Sequence, residues 1–260
     1  MSSNVSSKSF IHFSFLPPAM KVLYTLVLLV LGTGYMMAMA QIYITHAGLD
    51  GKPGLSMEDI IIGYSGSKGA TRLETALGGP MKGMAPDADR SAIVAWIHAG
   101  ASKEDFDAKV KPIVEQRCIV CHGGSNTNIP NLTGFDNVSK LVVMDTGMSI
   151  PTLIRVSHIH LFGLTFIFFI TGSIFVHAYM RPVWFKCLVV GVPFVGILLD
   201  IASWYLTKVY RPFGWVVVVS GGFMGLSFAI QWLASIYQMW FYQLPKEMAD
   251  KGGQVPGLGG

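Results

Sequence analysis

The chain of 260 residues is 52% apolar and only 13% charged, with a mean hydropathy of +0.50. Ordinary globular domains carry about 25% charged residues, so about half of the usual charge is missing, and it is missing from stretches long enough to cross a bilayer. That excludes a soluble enzyme, a nucleic-acid-binding domain, a disordered chain and a disulfide-stapled miniprotein.

The first such stretch lies between Lys21 and Asp50, which enclose 28 uncharged residues. About 20 helical residues span a hydrocarbon core of about 30 Å, so the spacing predicts a transmembrane helix over 22–44 behind an N-terminal tail, 1–21. Lys21, the apolar run and Ala38-Met39-Ala40 before Gln41 also have the order of a signal peptide. The run exceeds the usual apolar region of about 7–15 residues, which favours a retained anchor. Cleavage would leave three helices in the same orientation.

The polar segment 45–154 follows. From His46 to Ile154 there are 10 Lys and Arg against 12 Asp and Glu, while the rest of the chain carries 9 against 3. The isoelectric point near 8.9 therefore comes from residues flanking the membrane, and no nucleic acid or other polyanion is indicated as a partner. Within 52–80, Ser56 and Asp59 precede Ile60-Ile61-Ile62 as a capping-like start. Glycines at 63, 66, 69, 78 and 79 break the remainder into turns. After Gly83-Met84-Ala85-Pro86-Asp87, residues Ile93, Val94, Trp96 and Ile97 predict a helix over 87–100, ending at Gly100-Ala101. A connection at Ser102-Lys103 leads into a second helix, 104–117, with Glu104 and Asp105 in its first turn and Phe106, Val110, Ile113 and Val114 at helical spacing.

Cys118-Ile119-Val120-Cys121-His122 is the attachment pattern of a c-type haem. Two thiols three positions apart lie about one helical turn from each other, placed to form thioethers with two vinyl groups, and the adjacent histidine can ligate the iron. A zinc site needs about four ligands, and the remaining cysteine, Cys187, is predicted at the opposite membrane face. A thioredoxin-type pair needs a βαβ context that is missing here, and a disulfide across two residues would be strained. One motif implies one haem c.

Around this motif, with Gly123 and Pro130-Asn131-Leu132 after it and Met84-x-Pro86 with the Trp96-Ile97-x-x-Gly100-Ala101 helix before it, the chain resembles class I cytochromes c over about 60 of its 260 residues. The resemblance implies Cys118 and Cys121 as haem thioethers, His122 as proximal ligand and Met84 as distal ligand, with Met81 its alternative and His98, Met144 and Met148 still open. The family places its Met-bearing half after the attachment motif and this chain places it before. The terminal helices of the family's fold touch each other, so the rearrangement amounts to a circular permutation. The chain is also similar to integral-membrane monohaem cytochromes of proteobacterial type.

The last third, 155–245, holds three more spans. Arg155 to Arg181 encloses 25 uncharged residues, Arg211 to Lys246 encloses 34, and Lys186 to Lys208 encloses 21 interrupted only by Asp200. These predict helices at 156–180, 187–207 and 213–243, followed by a Gly-rich tail, 246–260. Residues 1–19 and 247–260 read as flexible tails. Lys8, Lys21, Arg181, Lys186, Lys246 and Lys251 fall on one side, with Lys208 and Arg211 the only basic residues of the opposite short turn. The positive-inside rule then places both termini in the cytoplasm of a bacterial inner membrane and the haem domain in the periplasm. Trp184 near one interface and Trp204, Tyr205 and Tyr210 near the other agree. The expected fold is mainly α: a four-transmembrane-helix bundle with an exported cytochrome c-like α domain inserted between helices 1 and 2.

Ionisable groups at bilayer depth are functional candidates. His46, His160 and Asp200 are predicted near the outer leaflet, where three readings stay open: a quinol site, a second cofactor such as haem b, or a structural His–Asp pairing. His158 lies about 200° from His160 around its helix, so both cannot face the interior. His177 reads as a lone interfacial histidine, Gln41 and Gln231 as interhelical hydrogen-bonding residues, and Cys187 as inert.

The function these readings give is electron transfer through one covalently attached haem at the periplasmic membrane surface. The chain would then be an electron carrier or a redox-complex subunit, its partner a periplasmic or membrane redox protein in a respiratory chain, with assembly into a larger membrane complex also open. Two alternatives stand beside it: a quinol:cytochrome c oxidoreductase or its haem c subunit, with quinol bound in the bundle, and a haem-based redox or ligand sensor.

Overall fold

The computed structural model describes residues 11–127 and 129–249, and among them helix dominates. These residues form no strand, only an isolated antiparallel bridge between Thr71 and Met144. Four helices are long and apolar enough to cross a membrane: α1 (Pro18–His46), α7 (Ile150–Phe175), α8 (Val183–Val209) and α9 (Gly214–Trp240, entered through a 3-10 turn at Arg211–Phe213). They contain most of the charge-free stretches, with shifted ends: α7 starts six residues before the expected 156 and stops at Phe175 rather than 180. The chain forms two compact units. One holds the described residues through Ala40 with Leu153–Ser203 and those from Trp215 onward; the other holds Gln41–Thr152 with Trp204–Gly214.

In the first unit, Phe13, Leu16, Leu28, Ile174, Phe175, Ala178, Val189 and Met239 pack together as an apolar core. Some of its buried polar groups pair within the bundle, although the buried Ser235 hydroxyl has no hydrogen-bond partner among the described residues. Gln231, fully buried, accepts a hydrogen bond from the Thr171 hydroxyl at 2.7 Å and donates to the Val189 carbonyl at 2.9 Å, tying α9 to α7 and α8. Trp232 Nε1 donates to Leu28 O on α1 at 2.7 Å, where Gly32 leaves room for the indole. Gln41 does not play the role expected of it: exposed, it donates to Thr45 Oγ1 one turn along its own helix.

The N-terminal reading also needs correction. Residues 11–16 are no flexible tail: a 3-10 turn at Phe13–Phe15 buries His12 and Phe13 completely. His12 Nδ1 accepts from the Ser14 amide and Nε2 donates to Gln238 Oε1 at 3.2 Å; Gln238 in turn bonds both the amide and the carbonyl of Tyr179. His177 is not a lone histidine, since its Nδ1 donates to Ile11 O at 2.8 Å and its ring lies against Phe13 and Tyr24. Residues 11–40 are thus built into the bundle. The outer ends of the chain, 1–10 and 250–260, lie outside the described residues.

The second unit packs five shorter helical segments: α2 (Met57–Ser65), α3 (Arg72–Gly78), α4 (Asp87–His98), α5 (103–122) and α6 (Phe135–Ser139). Ser56 and Asp59 close a reciprocal capping box on α2. The sequence reading left 72–78 as turns, yet Thr71 and Glu74 make a second box that starts α3. A single core joins Leu73 and Leu77 of α3, Ile93, Trp96 and Ile97 of α4, Phe106, Val110 and Val114 of α5, and Leu132 and Val138 beyond. The expected packing of the Trp-bearing helix against the helix that leads into the cysteines is therefore present. Trp96 lies 5.5 Å from Phe106 between ring centroids and donates its Nε1–H to Ser102 O at 2.8 Å, sealing the tight turn at Gly100-Ala101.

Helix α5 has an unusual winding. Short α-helical pieces alternate with π-helical stretches at Phe106–Val110 and Val114–Cys118. The apolar side chains recur every four residues, at 106, 110, 114 and 118. Four residues of α-helix overshoot a full turn by about 40°, so three such steps would swing Cys118 about 120° off the row. Wider i→i+5 turns unwind the helix and return it, so that Cys118 packs against the same core as Phe106, Val110 and Val114.

Candidate functional site

Cys118, Cys121 and His122 occupy the last turn of α5. All three cysteines of the chain are free thiols. Cys118 is half-buried on the core, Cys121 is exposed, and Val120 between them is 85% exposed. Burial pushes the Cys118 thiol above its ordinary value, and the Asp89 carboxylate adds to the effect. A dithiol oxidoreductase needs the opposite shift, because the thiolate is the nucleophile. Cys118 is therefore poorly suited to thiol–disulfide exchange.

The histidine is fixed by the chain that follows it. Gly124, at φ +88°, adopts a left-handed turn against the side chain of Asn131, whose Oδ1 accepts from the Thr133 amide at 2.8 Å. The loop folds back so that the Leu132 amide donates to His122 O at 2.9 Å, and Pro130 O lies 2.7 Å from His122 Nδ1. A carbonyl can only accept, so Nδ1 carries a proton, and the tautomer this fixes has its lone pair on Nε2. A histidine anchored in this way is the usual metal-ligating form, its tautomer and orientation set by the second nitrogen's bond.

Met84 ends a run of tight turns in which its amide donates to Met81 O and the Met81 amide to Ala76 O. It is 68% exposed, whereas Met81 is half-buried. Arg90 on α4 holds this turn from both flanks, donating from Nε to Ala85 O and from Nη1 to Leu77 O, and pairs with Asp87. The other distal candidates have local engagements. His98 bonds Glu74 Oε1 through Nε2 at 2.6 Å. Burial pushes the Glu74 carboxyl up, but hydrogen bonds from the Thr71 amide and hydroxyl and from His98 outweigh it and hold Glu74 below the ordinary value. Met144 bridges to Thr71, and the Met148 amide donates to Gly63 O. Among the described residues no three His, Cys, Asp or Glu side chains gather as a metal cage.

The three membrane-associated candidates fall in both units. His46 belongs to the polar unit; its Nδ1 donates to Ile42 O at 3.1 Å, and its ring lies over Gly63, where any side chain would collide, and beside Tyr64. Tyr64 stacks on Trp204 with centroids 5.7 Å apart. His160 and Asp200 belong to the bundle. His160 Nδ1 donates to Val156 O at 2.9 Å, and Asp200 is buried, 8% exposed.

The sequence reading gave Lys208 and Arg211 only a topological role. The structure uses both as clamps. Lys208 Nζ donates to the carbonyls of Tyr64, Thr146 and Met148 at 3.0, 2.7 and 2.8 Å. Arg211 bonds Ser65 Oγ, Gly66 O and the Glu58 carboxylate. Gly66 and Gly147 allow the two loops to meet, since a Cβ on either would strike the other's backbone.

Residues 137–246 match a family model, Aq_1264_TM, described as a transmembrane helical domain; the match covers α7, α8 and α9 and begins downstream of Cys118–His122. No curated protein and no solved structure matches the chain.

Proposed function

We propose that this multi-pass membrane protein is a c-type cytochrome that transfers electrons through one haem attached to its polar unit. The observation that carries the reading is the bond from His122 Nδ1 to Pro130 O, which leaves Nε2 as a lone-pair donor one residue after a pair of free thiols. Cys118 and Cys121 would hold the haem as thioethers, and His122 would ligate its iron. Bound there, the group supplies one-electron exchange at iron. The exposed apolar side chain of Val120 suits the face of a large flat cofactor.

Met84 is the second iron ligand we favour, with Met81 as alternative: Arg90 fastens the turn that carries both, and His/Met ligation would raise the potential of the haem. The polar unit would lie in the periplasm of a bacterial inner membrane, both chain termini in the cytoplasm, as the distribution of basic residues supports. Packing of His12, Phe13 and Leu28 in the bundle supports a retained N-terminal anchor. The resemblance to class I cytochromes c with the Met-bearing half first is supported by the shared core of α4 and α5.

The test is a pyridine haemochrome spectrum of full-length protein matured with a c-type attachment system. One haem c per chain is expected, and its loss in Cys118→Ala/Cys121→Ala. A colourless product, or pigment extracted by acidic acetone, overturns the proposal.

A second reading, quinol oxidation, is favoured by the tautomer of His46, which holds Nδ1–H on a backbone carbonyl and Nε2 as a proton acceptor. Reduction of the haem by a short-chain quinol should then slow at least tenfold in His46→Gln or Asp200→Asn. Unchanged kinetics in both variants remove this reading.

A further inference from the structure

Beyond the electron-transfer reading, and independent of it, we propose that the polar unit carries a binding site for the phosphate of an anionic phospholipid. The site is an open groove of about 460 Å³ next to the end of α1, lined by Tyr43, Lys52, Lys82 and a backbone of glycines.

Charge is the first argument. The segment His46–Ile154 has an excess of acid, with 12 Asp and Glu against 10 Lys and Arg. Yet the groove is lined by two lysines and by no carboxylate among the described residues. Asp50, the acid nearest in sequence, is turned to the Lys52 amide and the Ser56 hydroxyl. Lys82 Nζ donates to Gly51 O at 2.8 Å, which anchors that ammonium at the groove and leaves two of its three protons for an anion.

Shape is the second. The groove's floor is bare backbone because two glycine turns press together there. A Cβ on Gly79 would sit 2.4 Å from Gly48 O, and Gly51 turns with φ +79°. Substitution at Gly79 would force these turns apart, so the concave surface exists only with glycine.

Depth is the third, and it selects the ligand. Tyr43 lies in the last turn of α1, flanked by exposed Ile42 and Ile44. At a rise of about 1.5 Å per residue the helix ends about 4.5 Å beyond Tyr43, and the chain turns polar. Tyrosine at the end of an apolar span marks the headgroup layer. A groove at that depth with two ammoniums and a phenol meets lipid phosphodiesters before any soluble anion.

Native mass spectrometry of the full-length protein in mild detergent, titrated with phosphatidylglycerol or phosphatidylcholine, tests the site. Retention of phosphatidylglycerol over phosphatidylcholine is expected in the wild type. Each lysine beside an anionic lipid is worth about fivefold, so Lys52→Gln/Lys82→Gln should bind phosphatidylglycerol about 25-fold more weakly. The single variant Lys52→Gln alters an exposed side chain and should lose about fivefold with the helical circular dichroism unchanged; Lys68→Gln, outside the groove, should lose nothing. Equal retention in wild type and double variant overturns the proposal. So does displacement by equimolar inorganic phosphate, which would assign the groove to a soluble anion.

Discussion

The Lys208 ammonium donates to Met148 O at 2.8 Å, and the same three-proton group also satisfies Tyr64 O and Thr146 O. A cation at the end of a long apolar helix thus closes the backbone of two loops that carry no regular pairing of their own. Replacing it by Lys208→Met removes three charge-assisted bonds and leaves the carbonyls to find other donors. With hydrogen bonds to charged groups worth about 1.5–3 kcal/mol each and partial replacement by water, we expect a loss of about 3 kcal/mol. Hydrogen exchange should speed up at residues 62–66 and 145–148. Unaltered exchange there would show that the loops hold without the clamp.

If the polar unit carries the proposed haem, substitution distinguishes Met84 from Met81 as its second iron ligand. Met84→Ala should abolish the near-infrared band that reports sulfur ligation and admit carbon monoxide to the ferrous haem at neutral pH, whereas Met81→Ala should keep the band. The reverse result assigns Met81. An unaltered band in both variants excludes this turn altogether and returns Met144 and Met148 to consideration.

His12 makes the bundle sensitive to acid. Its neutral ring accepts from Ser14 and donates to Gln238, an arrangement a second ring proton would break. Burial pushes its pKa below the ordinary 6.5, the bond to Gln238 opposes this, and the positive charges of Lys21 and Lys186 and the nearby His177 lower it further. The unfolded chain therefore takes up the proton first. Stability from this group is full above pH 6.5 and falls as the pH drops through that value toward the lower native one. Thermal unfolding followed from pH 8 to pH 5 should show the decline in the wild type and a flatter profile in His12→Gln. Parallel profiles would place the sensitivity elsewhere.

Gln231 should matter less than its complete burial suggests. Side-chain hydrogen bonds between membrane helices average about 0.6 kcal/mol and reach about 1.7, because the unfolded helices find partners in the bilayer too. Gln231→Leu is expected to cost about 1 kcal/mol in reversible detergent unfolding, and Thr171→Val less. A loss above about 4 kcal/mol would mean that the α7–α8–α9 junction depends on this amide for its packing.

What the sequence disclosed follows from the range of each interaction. The four long apolar helices were legible because hydrocarbon imposes a composition on every residue of a helix, and the thiol pair because Cys-x-x-Cys-His is a contiguous pattern. Ser56 and Asp59 were legible as a cap; Thr71 and Glu74 carry the same signature but stand among glycines, and the glycines decided the reading. The role of His12 was hidden for a different reason. A histidine in a Ser-rich stretch looks solvated, and only Gln238, 226 positions away, makes its burial tolerable. Gln41 and Gln231 were indistinguishable as polar residues in apolar runs; one faces outward and one inward, which local sequence does not encode. Tautomers likewise depend on where Pro130 and Ile42 put their carbonyls.

The partnership of His12 with Gln238 has a bearing on biogenesis. Residues 11–16 cannot be seated until Gln238 has left the ribosome, so a segment made before all four long helices settles after them. A change at His12 or Phe13 would therefore act on this closing contact and leave the composition of the four long apolar helices untouched.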